Sequence, residues 1–220
     1  MGSDRRAVVV WDVPTRLFHW LVVMLVAAEY ATWRLNWMDW HIRAGKILLG
    51  LLFFRLLWGF FGSDTARFSR FLARPSAALR YMASSFRREP DDQIGHNPAG
   101  AWMVVLLLGL LLAETLSGLY VANDIADVGP FTQLVPARIA DAITALHQLL
   151  WDALIAAVSL HVLAIFVYAL AKGQNLLAPM LTGKKRLPAT VIRPRIRGAA
   201  RALCCALLSG LAAAAITRCL

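Results

Sequence analysis

Four of the five histidines in this chain, His19, His41, His147 and His161, fall within or at the ends of long apolar runs. An imidazole in a run that crosses a membrane is unfavourable to bury and marks a functional site by default. His147 and His161 lie on one predicted helix, fourteen residues apart. Fourteen steps of about 100° return to within ~40° of the same face, and a rise of about 1.5 Å per residue separates the two rings by ~21 Å. A single zinc site would need ligands a few residues apart or converging at one depth. The observed spacing instead suits two b-type hemes stacked through a hydrocarbon core of about 30 Å.

The elements that must position these rings are long apolar helices. Of the 220 residues, 59% are hydrophobic and eight are tryptophan, and the mean hydropathy is +0.59. A soluble domain is roughly 45–50% apolar, so lipid is the solvent that this composition requires. Spans are predicted at about 17–33, 43–62, 99–121 and 144–171. A weaker one at about 199–217 is either a fifth span or a helix lying at the interface, because it is alanine-rich and contains Arg201. The fold class is therefore an all-α integral membrane protein, a four-helix transmembrane bundle holding two hemes with an extra C-terminal helix. Residues 1–187 form the diheme membrane domain, and 188–220 hold a basic linker and the fifth helix.

Between spans 2 and 3, the connector 63–98 carries Arg67, Arg70, Arg74, Arg80, Arg87 and Arg88. A short surface helix is expected there, with Phe68, Phe71, Leu72 and Leu79 facing lipid. Residues 123–141 read as a loop, and 182–198 as a basic linker broken by Pro188 and Pro194. Arg5 and Arg6 precede an apolar stretch, yet no small-x-small cleavage site follows, so the stretch reads as a retained first span. Cys204, Cys205 and Cys219 lack the spacing of an iron–sulfur site or a covalent heme attachment.

The formal net charge is +10. The basic residues lie between apolar runs rather than along one stripe, so topology explains them and nucleic acid does not. Most of the 23 Lys and Arg fall in the N-terminus, the 63–98 connector and residues 172–201, and the loop 123–141 is mostly acidic. The N-terminus is thus expected in the cytoplasm of a bacterial cell, with the chain passing several times through the inner membrane. Depth matching then pairs His19 with His161 toward the cytoplasm and His41 with His147 toward the periplasm.

Further residues fit the same scheme. Arg55 is fourteen residues after His41 and about 21 Å deeper on the same face. There it either neutralises a heme propionate or snorkels to the interface. Gly45, one turn after His41, and Ala157, one turn before His161, offer small surfaces on which a porphyrin can lie. Asn97 reads as an N-cap and Pro98 as the first helical residue of span 3. Beside them, His96 is an interfacial histidine or part of a polar corner that binds a quinone head group. Glu29 and Glu114 are intramembrane carboxylates, read as buried hydrogen-bonding groups in preference to a proton relay.

The runs Arg16-Leu17-Phe18-His19-Trp20, His41-Ile42-Arg43-Ala44-Gly45 and Ile94-Gly95-His96-Asn97-Pro98, with His147 and His161, carry a resemblance. Over about residues 8–185 the chain resembles the bacterial cytochrome b561 family, most closely its nickel–iron hydrogenase b-type cytochrome subunits. That resemblance implies two noncovalent, bis-histidine hemes b ligated at His19, His41, His147 and His161. It also implies electron exchange between a periplasmic redox protein and quinone, with a quinone site near His96 and Asn97. The stretch after Pro188 departs from the family core.

Three functions compete. The first is an electron-transfer subunit of a membrane oxidoreductase, its partner a periplasmic dehydrogenase, hydrogenase or c-type cytochrome and its substrate quinone. The second is a stand-alone superoxide:quinone oxidoreductase of the same architecture, for which Arg34, Arg43, Lys46 and Arg138 would steer anions. The third is a non-heme transporter. Assembly into a homo-oligomer is open.

Overall fold

Asp12 starts the first long helix, α1 (Val13–Arg34), because its carboxylate accepts from the Thr15 amide at 2.7 Å and a proline follows in the first turn. Its second carboxylate oxygen accepts from the Trp58 indole at 3.0 Å, which joins the start of α1 to the end of α2 (Met38–Phe61). In the computed structural model, residues 4–84, 92–122 and 129–218 are described. Arg87, Arg88, Asn123, Asp124, Asp127 and Cys219, part of the charge and cysteine reading, lie outside the described residues.

After α2 come two short helices, α3 (Phe68–Phe71) and α4 (Pro75–Ser84), then α5 (Pro98–Gly118). Asn97 caps α5 by accepting from the Gly100 amide at 2.7 Å. A 3-10 turn at Thr132–Leu134 leads into α6 (Ala137–Lys172). At 36 residues, α6 exceeds the roughly 20 that a bilayer core needs. It begins well before the expected 144, because the polar turn around Arg138 and Asp141 extends the helix beyond its apolar part. Gly173 ends it with φ 66°, a left-handed conformation that glycine adopts without a Cβ penalty. The short α7 (Leu177–Thr182) ends the same way at Gly183, with φ 79°.

Among the described residues, α2, α5, α6 and α8 (Ala199–Arg218) are the helices long and apolar enough to cross a membrane. The C-terminal helix is therefore as good a candidate span as the others. It runs antiparallel along α2: a Cβ at Gly50 would sit 3.6 Å from that of Ala213, and Arg201 donates to the Phe61 carbonyl at 3.3 Å. That packing is the packing of a bundle member. Helix α1 has the length but not the hydropathy, because Arg16, His19, Glu29 and Arg34 interrupt it.

The core between these helices contains Leu49, Leu52, Trp58 and Leu154, all essentially inaccessible. Leu149, Leu163, Phe166, Leu170, Leu203, Leu207 and Leu211 point outward. Apolar residues on both faces of a helix bundle suit lipid.

The chain is not purely helical. Arg5–Val9 (β1) pairs antiparallel with Lys184–Pro188 (β2), Arg5 opposite Pro188. Part of the expected linker 182–198 is therefore a strand, and Val8, Val10, Trp11 and Leu187 form a small core beneath the pair. Two of the aromatic residues expected to face lipid turn inward. Phe68 packs so closely on Gly59 that a Cβ there would lie 2.0 Å from the ring, and Phe71 meets His96 with ring centroids 4.9 Å apart. Leu72 and Leu79 do face outward.

Candidate functional site

Two histidine pairs form between the helices. At the end of the bundle that carries the strands, His19 of α1 and His161 of α6 lie close enough to interact electrostatically. At the other level His41 of α2 and His147 of α6 do the same. The fourteen residues between His147 and His161 on one continuous helix set the levels about 21 Å apart.

Around the first pair the surroundings are sparse. The His19 ring meets Trp20 edge-on at 4.8 Å, and its Nδ1 is shut off from solvent without a hydrogen-bond partner among the described residues. Arg55 is 3% exposed. Its guanidinium donates to the Ala66 carbonyl at 3.3 Å and lies over the Phe68 ring, 5.0 Å from the centroid. It does not snorkel to solvent, and among the described residues no carboxylate makes an ion pair with it.

His96 stands beside this level, within electrostatic range of Arg55 and His161. It is held between Trp11 and Phe71 at 4.6 and 4.9 Å, and its Nδ1 has no hydrogen-bond partner among the described residues. Burial, then the positive charge of Arg55, push its pKa down to about 3, so the ring is neutral at physiological pH. Both ends of the Asn97 carboxamide are engaged: the oxygen caps α5 and the nitrogen donates to the Tyr168 hydroxyl at 3.1 Å.

The second level is richer in polar contacts. His41 Nδ1 lies 2.7 Å from Glu29 Oε2 and 3.2 Å from the Glu29 carbonyl. His147 Nδ1 lies 2.9 Å from Ser117 Oγ and 3.1 Å from the Glu114 carbonyl, with Nε2 3.5 Å from Glu114 Oε1. Gly118 admits the His147 ring, since a Cβ there would be 3.2 Å from Cε1. A Cβ at Gly45 would meet only Glu29 Oε1, at an ordinary 3.5 Å, and Ala157 is buried on α6. The roles of Ser117, Gly118, Trp11 and Phe71 escape a reading of the sequence alone. The Ser117-Gly118 pair three residues after an intramembrane glutamate is the one signal that could have found the first two.

Among the described residues, no three of His, Cys, Asp and Glu gather as the ligand set of a bare metal ion. Imidazoles brought within electrostatic range of one another in two pairs, and a buried guanidinium whose nearest negative charge, on Asp12, acts without a direct ion pair, are groups that a porphyrin with two axial histidines would use. The fold and site define a multi-pass helical membrane protein with half-buried histidine pairs between its helices. Residues 10–183 match the family described as prokaryotic cytochrome b561, and the chain belongs to it. It is thus a transmembrane b-type cytochrome of an electron-transfer family. No curated protein and no solved structure matches the chain. Strands β1 and β2 and the whole of α8 lie outside the matched residues.

Proposed function

We propose that this protein is a diheme cytochrome of the bacterial inner membrane, with its N-terminus in the cytoplasm. It exchanges electrons between a periplasmic redox partner, such as a dehydrogenase, a hydrogenase or a c-type cytochrome, and the quinone pool. The observation that carries this reading is the pairing itself: His19 with His161 and His41 with His147, at two levels set by one helix. When bound, hemes supply one-electron carriers at both depths of the bilayer.

The chain's own residues bind and orient. The four imidazoles are the axial ligands. Arg55 places a guanidinium where a propionate would compensate it. Gly45 and Ala157 leave flat surfaces, and the close-packed aromatic and aliphatic core excludes water. His96, neutral and clasped by Trp11 and Phe71, offers a ring nitrogen for a quinone head group at the cytoplasmic end, while Asn97 holds the start of α5 in place. Helices α1 and α8 complete a bundle of five crossings, with α1 admitting its polar residues because they face the histidines.

The test is a pyridine hemochrome count on the purified full-length protein, with a reduced-minus-oxidised spectrum. Two hemes b per chain are expected. One heme would overturn the two-level arrangement, and none would overturn the redox reading.

A further inference from the structure

The two histidine levels differ in what holds the rings from behind. At the His41 and His147 level, both Nδ1 atoms face carbonyl oxygens, of Glu29 and Glu114 respectively. A carbonyl can only accept, so Nδ1 carries the proton in both rings and Nε2 keeps its lone pair for a metal. His41 has in addition a carboxylate oxygen at 2.7 Å, whereas His147 has a hydroxyl. At the other level, His19 Nδ1 has no hydrogen-bond partner among the described residues.

Glu29 is 9% exposed, and apart from the contact with His41 its carboxylate makes no hydrogen bond among the described residues. A carboxylate in that setting is unfavourable unless it has a task.

We infer that Glu29 is a positioning residue whose carboxylate orients the His41 ring and makes the heme at this level the more weakly oxidising of the two. The inference rests on the ligation proposed above. A carboxylate that accepts from Nδ1–H fixes ring orientation and raises the basicity of Nε2, and a more basic ligand favours the more positive, oxidised iron. Because His19 lacks such a partner, the effect belongs to one level only, and the two hemes are set apart in potential. Electrons entering at the Glu29 level would then run downhill toward the His19 level.

The test is potentiometric titration of the heme spectrum in the full-length chain, comparing wild type with Glu29→Gln and Glu29→Asp after a hemochrome count on each. Wild type should show two separate midpoints. Glu29→Gln should raise the lower one by about a tenfold change in its one-electron equilibrium, about 59 mV, and leave the other in place. Glu29→Asp should stay near wild type. A Glu29→Gln protein that keeps both hemes with neither midpoint moved overturns the inference while leaving the diheme reading intact. A shift of both midpoints together also overturns it, since that is a general loosening. If Glu29→Gln sheds heme, Glu29→Asp decides: two hemes with wild-type midpoints support a role for the charge, and loss in both overturns it. A wild-type protein with no heme fails the proposed function instead.

Discussion

The guanidinium of Arg55 lies 5.0 Å from the centroid of the Phe68 ring, on the buried side of a corner that also includes Ala66. A cation over an aromatic face gains about 0.5–2 kcal/mol, and one carbonyl accounts for one of five donors. The buried Asp12 carboxylate favours the charge through space without a direct ion pair, so the guanidinium keeps donors for a further anion such as the propionate proposed above.

Arg55→Leu therefore has effects of opposite sign on the two forms of the protein. Without heme, removing a buried charge that makes no direct ion pair leaves thermal stability unchanged or higher. With heme, loss of a charge-assisted bond weakens retention by about 1.5–3 kcal/mol, at least about tenfold. Thermal unfolding of the heme-depleted protein and heme transfer to an acceptor protein measure the two. Stability lost equally in both forms would show that Arg55 serves packing only.

Gly118 is the second place where the backbone makes room. Its Cα side sits against the His147 ring, with 3.2 Å from a would-be Cβ to Cε1. Gly118→Val should push that ring out of register, at about 1–3 kcal/mol of overpacking. The expected hemochrome signal falls to about half of wild type, the surviving component being that of the His19 and His161 level. An unaltered count would show that the ring has room to retreat.

What the sequence disclosed followed from local geometry. The fourteen-residue spacing of His147 and His161 is fixed once both lie on one helix, and the capping of α5 by Asn97 before Pro98 depends on neighbours in the chain. The helical reach of α8 was visible in its run of alanine and leucine, although alanine and Arg201 left its placement open. The pairing of Arg5 with Pro188 was not visible, since two short basic segments so far apart carry no pattern that marks them as partners. Phe68 and Phe71 were misplaced for a related reason. An amphipathic connector shows that aromatics have an apolar destination, but here Gly59 and His96 compete with lipid for them. Glu29 was legible as a buried hydrogen-bonding carboxylate, but its partner on α2 was settled only by packing.

The segment leading to α8 is pinned at the end of α2. Asp64 and Arg195 exchange backbone and side-chain bonds: the Asp64 amide donates to the Arg195 carbonyl and Arg195 N–H to Asp64 Oδ2, both at 3.1 Å. The Arg197 amide donates to Ser63 Oγ at 2.9 Å, and Arg67 pairs with Asp64. The Arg195 amide, followed by Arg67, holds the Asp64 carboxyl below its ordinary 3.8. A depressed value means that the ionised form stabilises the fold above the unfolded value, and that this contribution disappears as pH falls through the folded one. Asp64→Ala should therefore weaken the attachment by about 1 kcal/mol at neutral pH, and acidification of wild type below about pH 4 should mimic it. Faster hydrogen exchange at the Arg195 and Arg197 amides, in the variant and in acidified wild type, is the measurement. Exchange that is already as fast in wild type at neutral pH would show that the strap is not held there.

Single removal of the four histidines gives the sharpest check on how they pair. If His19 and His161 share one iron, His19→Ala and His161→Ala remove the same spectral component, and the double variant loses no more than either single one. The same holds for His41→Ala and His147→Ala at the other level. Crossing the levels, as in His19→Ala with His147→Ala, should abolish heme entirely. The reasoning is that of a double-mutant cycle: residues acting on one group are non-additive, and those about 21 Å apart add. Hemochrome content per chain and the resolved α-band of each variant provide the readout. Additive losses within a pair would break the pairing that α1, α2 and α6 build, and equal losses from all four single variants with no second component would reduce the protein to one heme.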